Sequence, residues 1–119
     1  MPPEIKKEVL QFSIAFAPLA HQCLADIESY KSGTIGAQQA ANFVDNLLME
    51  SVANIIQDPE RYRFNVYLSD RGLMLRERLD VDSEYRVLYD FDGKNIEILL
   101  FVSMRQDFGT LLYRYNILK

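Results

Sequence analysis

The chain predicts an α+β fold: an antiparallel sheet of four or so strands with an N-terminal helical hairpin packed on one face. Three observations lead there. Residues 85–107, YRVLYDFDGKNIEILLFVSMRQD, hold two alternating apolar runs joined at Asp92-Gly93. That is the strongest short-range signal for a β-hairpin, because Asp and Gly tolerate the positive φ of a type I′ turn. Residues 18–57 carry two successive apolar patterns at helical spacing. Residues 9–17 and 73–79 alternate as strands do, before and after them, which gives a β-α-α-β-β-β order.

The first strand is expected over residues 9–17, where Leu10, Phe12, Ile14 and Phe16 alternate with Gln11, Ser13 and Ala15. Pro18 suits the first turn of a helix, and Leu19, Ala20, Cys23, Leu24 and Ile27 continue the helical spacing to about Tyr30. The stretch KSGTIG, residues 31–36, reads as a loop. A second helix then carries a stripe from Ala40 through Phe43, Val44, Leu47, Leu48, Val52, Ile55 and Ile56, and stops at Asp58-Pro59. Residues 63–69 alternate briefly as a short strand, and residues 69–72 read as a turn. In the next strand, residues 73–79, Leu73, Leu75 and Leu79 share one face while Met74, Arg76 and Arg78 take the other. The tail from Phe108 is too mixed to assign.

If Asp92-Gly93 forms the hairpin loop, Phe91 faces Lys94, Tyr89 faces Ile96, Val87 faces Ile98 and Tyr85 faces Leu100. These pairs belong on the core side. The period of two then sets Arg86 and Leu88 on the opposite face with Leu99 and Phe101, and Arg105 follows if the strand runs on through Ser103. With Arg76 and Arg78 added, four guanidinium groups would line the free face of one sheet, and Tyr113, Arg114 and Tyr115 could close over its edge.

Composition narrows the choices of function. A chain of 119 residues, 49% hydrophobic and 25% charged, is expected to be one domain over 1–119 that buries roughly two-thirds of its unfolded surface. No apolar run approaches a membrane span, and the N-terminus lacks a secretory core, so a cytoplasmic protein without membrane contact is expected. One histidine and one cysteine leave no material for a His- or Cys-held metal. No glycine-rich phosphate loop or nucleophile elbow occurs, so neither metal nor cofactor is expected. Cys23, set among apolar residues, reads as a small core residue.

The net charge of −4 is unevenly spread. All eight arginines lie between Arg61 and Arg114, whereas residues 13–57 carry Lys31 against Asp26, Glu28, Asp45 and Glu50. An acidic chain is a poor indiscriminate binder of nucleic acid, and direct sequence-specific DNA binding is not expected. The plain reading of an arginine-bearing sheet face is a solvated surface whose exposed ion pairs contribute roughly 0–1 kcal/mol each. Against it stand Leu88, Leu99 and Phe101, apolar companions that suggest a face something covers. Two chemistries suit such a face. Guanidinium groups could stabilise phosphate charge during RNA cleavage, with Tyr113 or Tyr115 as acid or base, or arginines and aromatics could anchor an acidic protein segment.

The arrangement resembles the RelE/ParE superfamily of toxins from bacterial type II toxin–antitoxin modules. The resemblance runs from Phe12 to about Asp107 and is carried by the opening strand, the two helices, LMLRERL, the strand Tyr85-Arg86-Val87-Leu88-Tyr89, the DG turn, NIEILLFV and the closing MRQD. It implies a growth-inhibiting toxin of the plasmid-stabilisation type, neutralised by a cognate antitoxin. RelE-like members are ribosome-dependent mRNA endonucleases, or mRNA interferases, that use basic sheet residues and a C-terminal tyrosine. That branch would make Arg86, Arg105 and Tyr113 catalytic here. Position 111, where that tyrosine is expected, is Leu, and Tyr113 is the nearest. ParE-like members poison DNA gyrase without being known nucleases. That branch would make Arg76, Arg78, Arg86, Leu88, Leu99, Phe101 and Arg105 a binding surface. The long second helix, the acidic pI and Arg105-Gln106-Asp107 lean toward the gyrase inhibitor; the alternatives are the ribosome with its mRNA as target, or a diverged, non-toxic interaction domain.

Overall fold

The computed structural model describes residues 12–114. The chain forms β1 (Ser13–Phe16), α1 (Pro18–Ile35), α2 (Ala37–Gln57), α3 (Val66–Ser69), β2 (Arg76–Asp80), β3 (Tyr85–Phe91), β4 (Asn95–Ser103) and α4 (Phe108–Arg114). The strands lie side by side as β1-β4-β3-β2. The α+β class and the β-α-α-β-β-β order are as the sequence predicts, with short helices added at α3 and α4. The sheet is mixed rather than wholly antiparallel, because β1 runs parallel to β4. A tight hairpin forces its strands antiparallel, whereas a chain leaving β1 through two long helices is under no such constraint. Residues 9–11 of the expected first strand lie outside the described residues.

Pro18 occupies the first turn of α1, where its missing N–H would have had no helical partner. The helix absorbs most of the expected 31–36 loop. Ser32 donates its hydroxyl to the Glu28 carbonyl at 2.9 Å, and winding continues to Ile35. Only Gly36, at φ 88°, breaks the path. Its N–H still closes onto the Ser32 carbonyl at 3.1 Å, while its own carbonyl accepts from Ala40, so one residue serves as the corner of the helical hairpin. Ala20, Cys23, Leu24 and Ile27 of α1 and Ala40, Val44, Leu47 and Ile55 of α2 are buried, as their spacing predicts.

The hairpin between β3 and β4 turns two residues away from its expected register. Asp92 Oδ1 accepts from the N–H groups of Lys94 and Asn95, at 3.0 and 2.7 Å, and Gly93 takes φ 99°. These bonds hold the Asp92 carboxyl below its ordinary range. They also place Gly93-Lys94 at the centre of the turn, so Phe91 pairs with Ile96 and Tyr89 with Ile98. Beyond Tyr89 the pairing shifts again: Leu88 faces Leu100 and Leu99 is an extra residue, a β-bulge. The bulge inverts the parity of the rest of β4. Phe101, opposite Val87, therefore joins the helix side, and Leu100, opposite Leu88, joins the far side, the reverse of the sequence expectation.

Strand β2 is displaced too. It begins at Arg76 rather than Leu73, and its partners across β3 are Tyr89 for Arg76, Val87 for Arg78 and Arg86 for Leu79. Partners share a face, so Arg76 and Arg78 lie on the helix side and the exposed Leu79 lies on the far side. Leu73 and Leu75 precede the strand and pack against the core from a loop. The expected strand at 63–69 reduces to a single bridge, Phe64 with Arg76, followed by the one-turn helix α3.

Candidate functional site

The four arginines expected on one free face are divided among three settings. Arg76 reaches the loop after α2, donating from Nη1 to the Tyr62 carbonyl at 2.6 Å and the Glu60 carbonyl at 3.2 Å, with its guanidinium over the Phe64 ring. Arg78 reaches Ser51 Oγ, on α2, at 3.4 Å. Both are charges turned inward on an edge strand, Arg76 bonded to carbonyls of the loop after α2 and Arg78 to a side chain of α2 itself. Their expected position on the free face is corrected by the register of β2: the leucine alternation from Leu73 belongs mostly to the preceding loop.

Arg86 and Leu88 do face away from the helical hairpin, as predicted, but that face is covered. Leu88, Leu100 and Val102 are buried there. Segment 65–71 and α4 reach this face at Glu77 and Arg86. Asn65 caps α3 by accepting from the Leu68 N–H at 2.9 Å, and its Nδ2 donates to both oxygens of Glu77, at 2.9 and 3.2 Å. Glu77 in turn accepts from Arg86 Nη1 at 3.3 and 3.4 Å. The two side chains are only 13% and 22% exposed. Above them, Arg86 stacks on Phe108 of α4 at 5.2 Å, Phe108 meets the edge of Tyr67 at 5.6 Å, and Arg71 lies over Tyr67 at 3.6 Å. The apolar residues beside Arg86 thus find their cover within the chain. Arg86 Nε is buried without a hydrogen-bond partner.

Arg105 stands apart from both groups. It follows β4 in the turn before α4, is 78% exposed, and pairs bidentately with Glu84 through Nε at 2.8 Å and Nη2 at 3.1 Å. Glu84 adopts φ 65°, a left-handed conformation unusual for a side chain with a Cβ. Its carbonyl accepts from Met104 at 2.8 Å, so the turn before β3 and the turn after β4 are tied together there. Tyr113 is exposed on α4, and Tyr115 lies outside the described residues. Leu99, the bulged residue, is half-buried against the core.

What the bulge brings together is a groove of about 650 Å³ at the end of the sheet, between α1, the 83–85 corner and α4. Phe101, Ile27, Leu111 and Tyr85 form its apolar part, and Tyr30, Lys31, Arg105 and Arg114 stand among its polar walls. Burial, with the Tyr30 phenol as a smaller influence, raises the Tyr85 phenol above its ordinary value, so Tyr85 is a neutral hydrogen-bonding group in the groove at physiological pH. Unbroken alternation along β4 predicts Phe101 on the far face with the arginines, the reverse of its observed side. The groove escaped sequence reasoning because nothing in the run ILLFV marks which residue is the extra one. Among the described residues no group of His, Cys, Asp and Glu side chains is arranged to hold a metal ion, and no helix is long and apolar enough to cross a membrane.

No family model matches the sequence, and no curated protein matches it. Among solved structures the chain is similar to one described as "Chromosomal ParDE TA system from P. aeruginosa", with a TM-score of 0.67, covering 80% of this chain and 98% of that one. At 18% identity the likeness is one of fold.

Proposed function

We propose that the chain is the toxin component of a bacterial toxin–antitoxin module and that it inhibits growth by binding, in the ParE-like manner, with DNA gyrase as its target. It would work in the cytoplasm and be held inactive by a cognate antitoxin. The reading draws its support from the fold shared with a protein of a ParDE system and from the sequence resemblance that runs over the same elements.

The observation that carries binding over RNA cleavage is the engagement of Arg76, Arg78 and Arg86 inside the molecule. Arg76 serves the loop carbonyls, Arg78 reaches Ser51, and Arg86 is paired with Glu77 beneath Phe108. A nuclease that stabilises a pentavalent phosphate needs guanidinium groups aimed at a common point and free to meet it. Of the four, Arg105 alone is fully on the surface, and it is the member of the expected binding set retained here with Phe101.

Induced expression in bacteria, with DNA replication and protein synthesis followed separately, tests the proposal. Filamentation with arrested replication, together with loss of supercoiling by purified gyrase in the presence of the protein, is the expected result. Early loss of translation with cleaved message would replace gyrase by the ribosome. Vigorous growth at high expression would overturn the toxin reading. A small adjoining reading frame encoding a DNA-binding domain with an amphipathic tail is the expected genetic companion.

A further inference from the structure

We propose that two copies of this chain pair through the open end of strand β2, edge to edge and antiparallel, with a twofold axis at Leu79. Leu79 would lie opposite the partner's Leu79 and Arg78 opposite the partner's Asp80. Two four-stranded sheets would then run on as one, with both helical layers on the same side. The proposal stands on the edge itself and does not require that the chain be toxic.

Backbone phase leaves that end of β2 open. The Glu77 N–H donates to the Arg63 carbonyl at 3.0 Å, and the Asn65 N–H donates to the Leu75 carbonyl at 2.8 Å, so odd-numbered residues here turn their backbone groups away from β3. Segment 63–65 takes up the Leu75 carbonyl and the Glu77 N–H and goes no further along the strand. By the same alternation the N–H and C=O of Leu79 face outward, and among the described residues no strand lies beside them. Apolar surface gathers at the same place. Five of the nine large apolar side chains exposed among the described residues, Phe64, Val66, Met74, Leu79 and Val81, fall within residues 64–81. Phe64, Val66 and Leu79 line one hollow of about 300 Å³, and Leu79 is 51% exposed. A twofold partner brings its own Leu79 to this patch and covers it.

Charge selects both the occupant and the register. Strand β2 reads Arg76-Glu77-Arg78-Leu79-Asp80, and folding this sequence back on itself at Leu79 sets each Arg78 against an Asp80. An axis moved to Arg78 would bring two arginines together, and an axis moved to Asp80 would bring two aspartates together. Neither Arg78 nor Asp80 belongs to the ion pairs found among the described residues, Arg86 with Glu77 and Arg105 with Glu84. The bond from Arg78 to Ser51 uses Nη1 and is long, 3.4 Å, which leaves the rest of the guanidinium fork for a carboxylate. An inward charge on an edge ordinarily repels a stray strand, but this one is answered by a strand with an acid two residues further on, as β2 itself has. Because β2 ends at Asp80, the chain turns off before it would meet segment 63–65 of the other copy.

Sedimentation equilibrium on the full chain tests the pairing. A monomer–dimer equilibrium with a midpoint of roughly 10–100 µM is expected, since so short a ladder belongs with small, weak interfaces. Leu79→Lys should raise the midpoint at least roughly tenfold, with circular dichroism unchanged because the side chain is already half exposed. The sharpest test uses Arg78→Glu and Asp80→Arg. Each variant alone sets like charges opposite one another twice and should stay monomeric, whereas an equimolar mixture restores both ion pairs and should form a one-to-one heterodimer. Lys94→Glu, at the tip of the β3–β4 hairpin, should dimerise like the parent. A parent protein that is monomeric at every concentration, an open-ended series of larger species, a Leu79→Lys protein that dimerises like the parent, or a mixture of the two charge variants that does not associate would each overturn the proposal. Growth arrest caused by a strictly monomeric protein would remove the interface and leave the toxin reading intact.

Discussion

The two faces of the sheet are covered by different means. On one, two long helices joined at a single glycine press Leu47, Ile55, Cys23 and Ile27 against Val87, Tyr89 and Ile98, and the adhesion is mostly apolar area. On the other, two short helices, of four and seven residues, are far below the length at which a helix is stable by itself. They are held by a chain of specific contacts, Asn65 to Glu77 to Arg86 to Phe108 to Tyr67 to Arg71. Burial of area tolerates small errors of position, while a relay of charge and ring contacts is sensitive to the loss of any member. The difference teaches that an arginine among leucines can be a structural rivet as readily as a functional group.

That contrast can be broken first on the apolar side. Ile55→Ala, at a position with no exposure, should cost about 2–5 kcal/mol in denaturant unfolding; a loss below about 1 kcal/mol would mean the hairpin contributes less area than its packing suggests. On the relay side, Glu77→Ala leaves Arg86 and Asn65 without their acceptor at a mostly buried site and should cost about 2–3 kcal/mol, with amide exchange rising across α3 and α4 before it rises in α1 and α2. Uniform loss of protection would show that the two faces open together.

Smaller effects sharpen the picture. Burial holds the Tyr89 phenol well above its ordinary value, and the phenol donates to the Pro59 carbonyl at 2.6 Å. In the unfolded chain tyrosine ionises near pH ~10, so the stability linked to the neutral phenol is complete below that pH and is lost as pH rises through the folded value. Tyr89→Phe should cost about 1 kcal/mol at neutral pH and flatten the decline above pH ~10; an alkaline profile like the parent's would assign that decline to other groups. Smallest is a pair of glycines. At Gly33 an added Cβ meets open space, and Gly33→Ala should stabilise by about 0.5–1 kcal/mol, whereas at Gly109 it would come within 2.7 Å of the Tyr67 hydroxyl. Gly109→Ala should therefore gain nothing or lose stability, and equal gains at both sites would show that α4 is not seated on Tyr67.

Much of this architecture was legible because local chemistry and tertiary structure agreed. Asp92-Gly93 announced the hairpin, the stripe from Ala40 to Ile56 announced α2, and alternation from Arg86 correctly set that side chain opposite the helices. What was not legible depended on choices without a residue signature. Any member of ILLFV could have been the bulged one, and only pairing in space selects Leu99. Leu73 and Leu75 imitate a strand and shift the apparent parity of Arg76 and Arg78. KSGTIG has the composition of a loop, but packing of α1 carries the helix through it to Ile35. The assembled arginine site failed to form for the same reasons, and the groove holding Phe101 and Arg105 was hidden by them.

The bulge at Leu99 works as a phase switch along β4. Residues before it are read by the helices in one parity and residues after it in the other, so a single strand serves two neighbourhoods out of step. Deleting that one residue would close the ladder into a regular one, with Leu100 next to Ile98 and still opposite Leu88, and Phe101 still opposite Val87 in the groove. In this strand the side a residue faces is set by where it stands relative to Leu99, with Ile96 and Ile98 before it and Phe101 and Ser103 after it turned toward the helices.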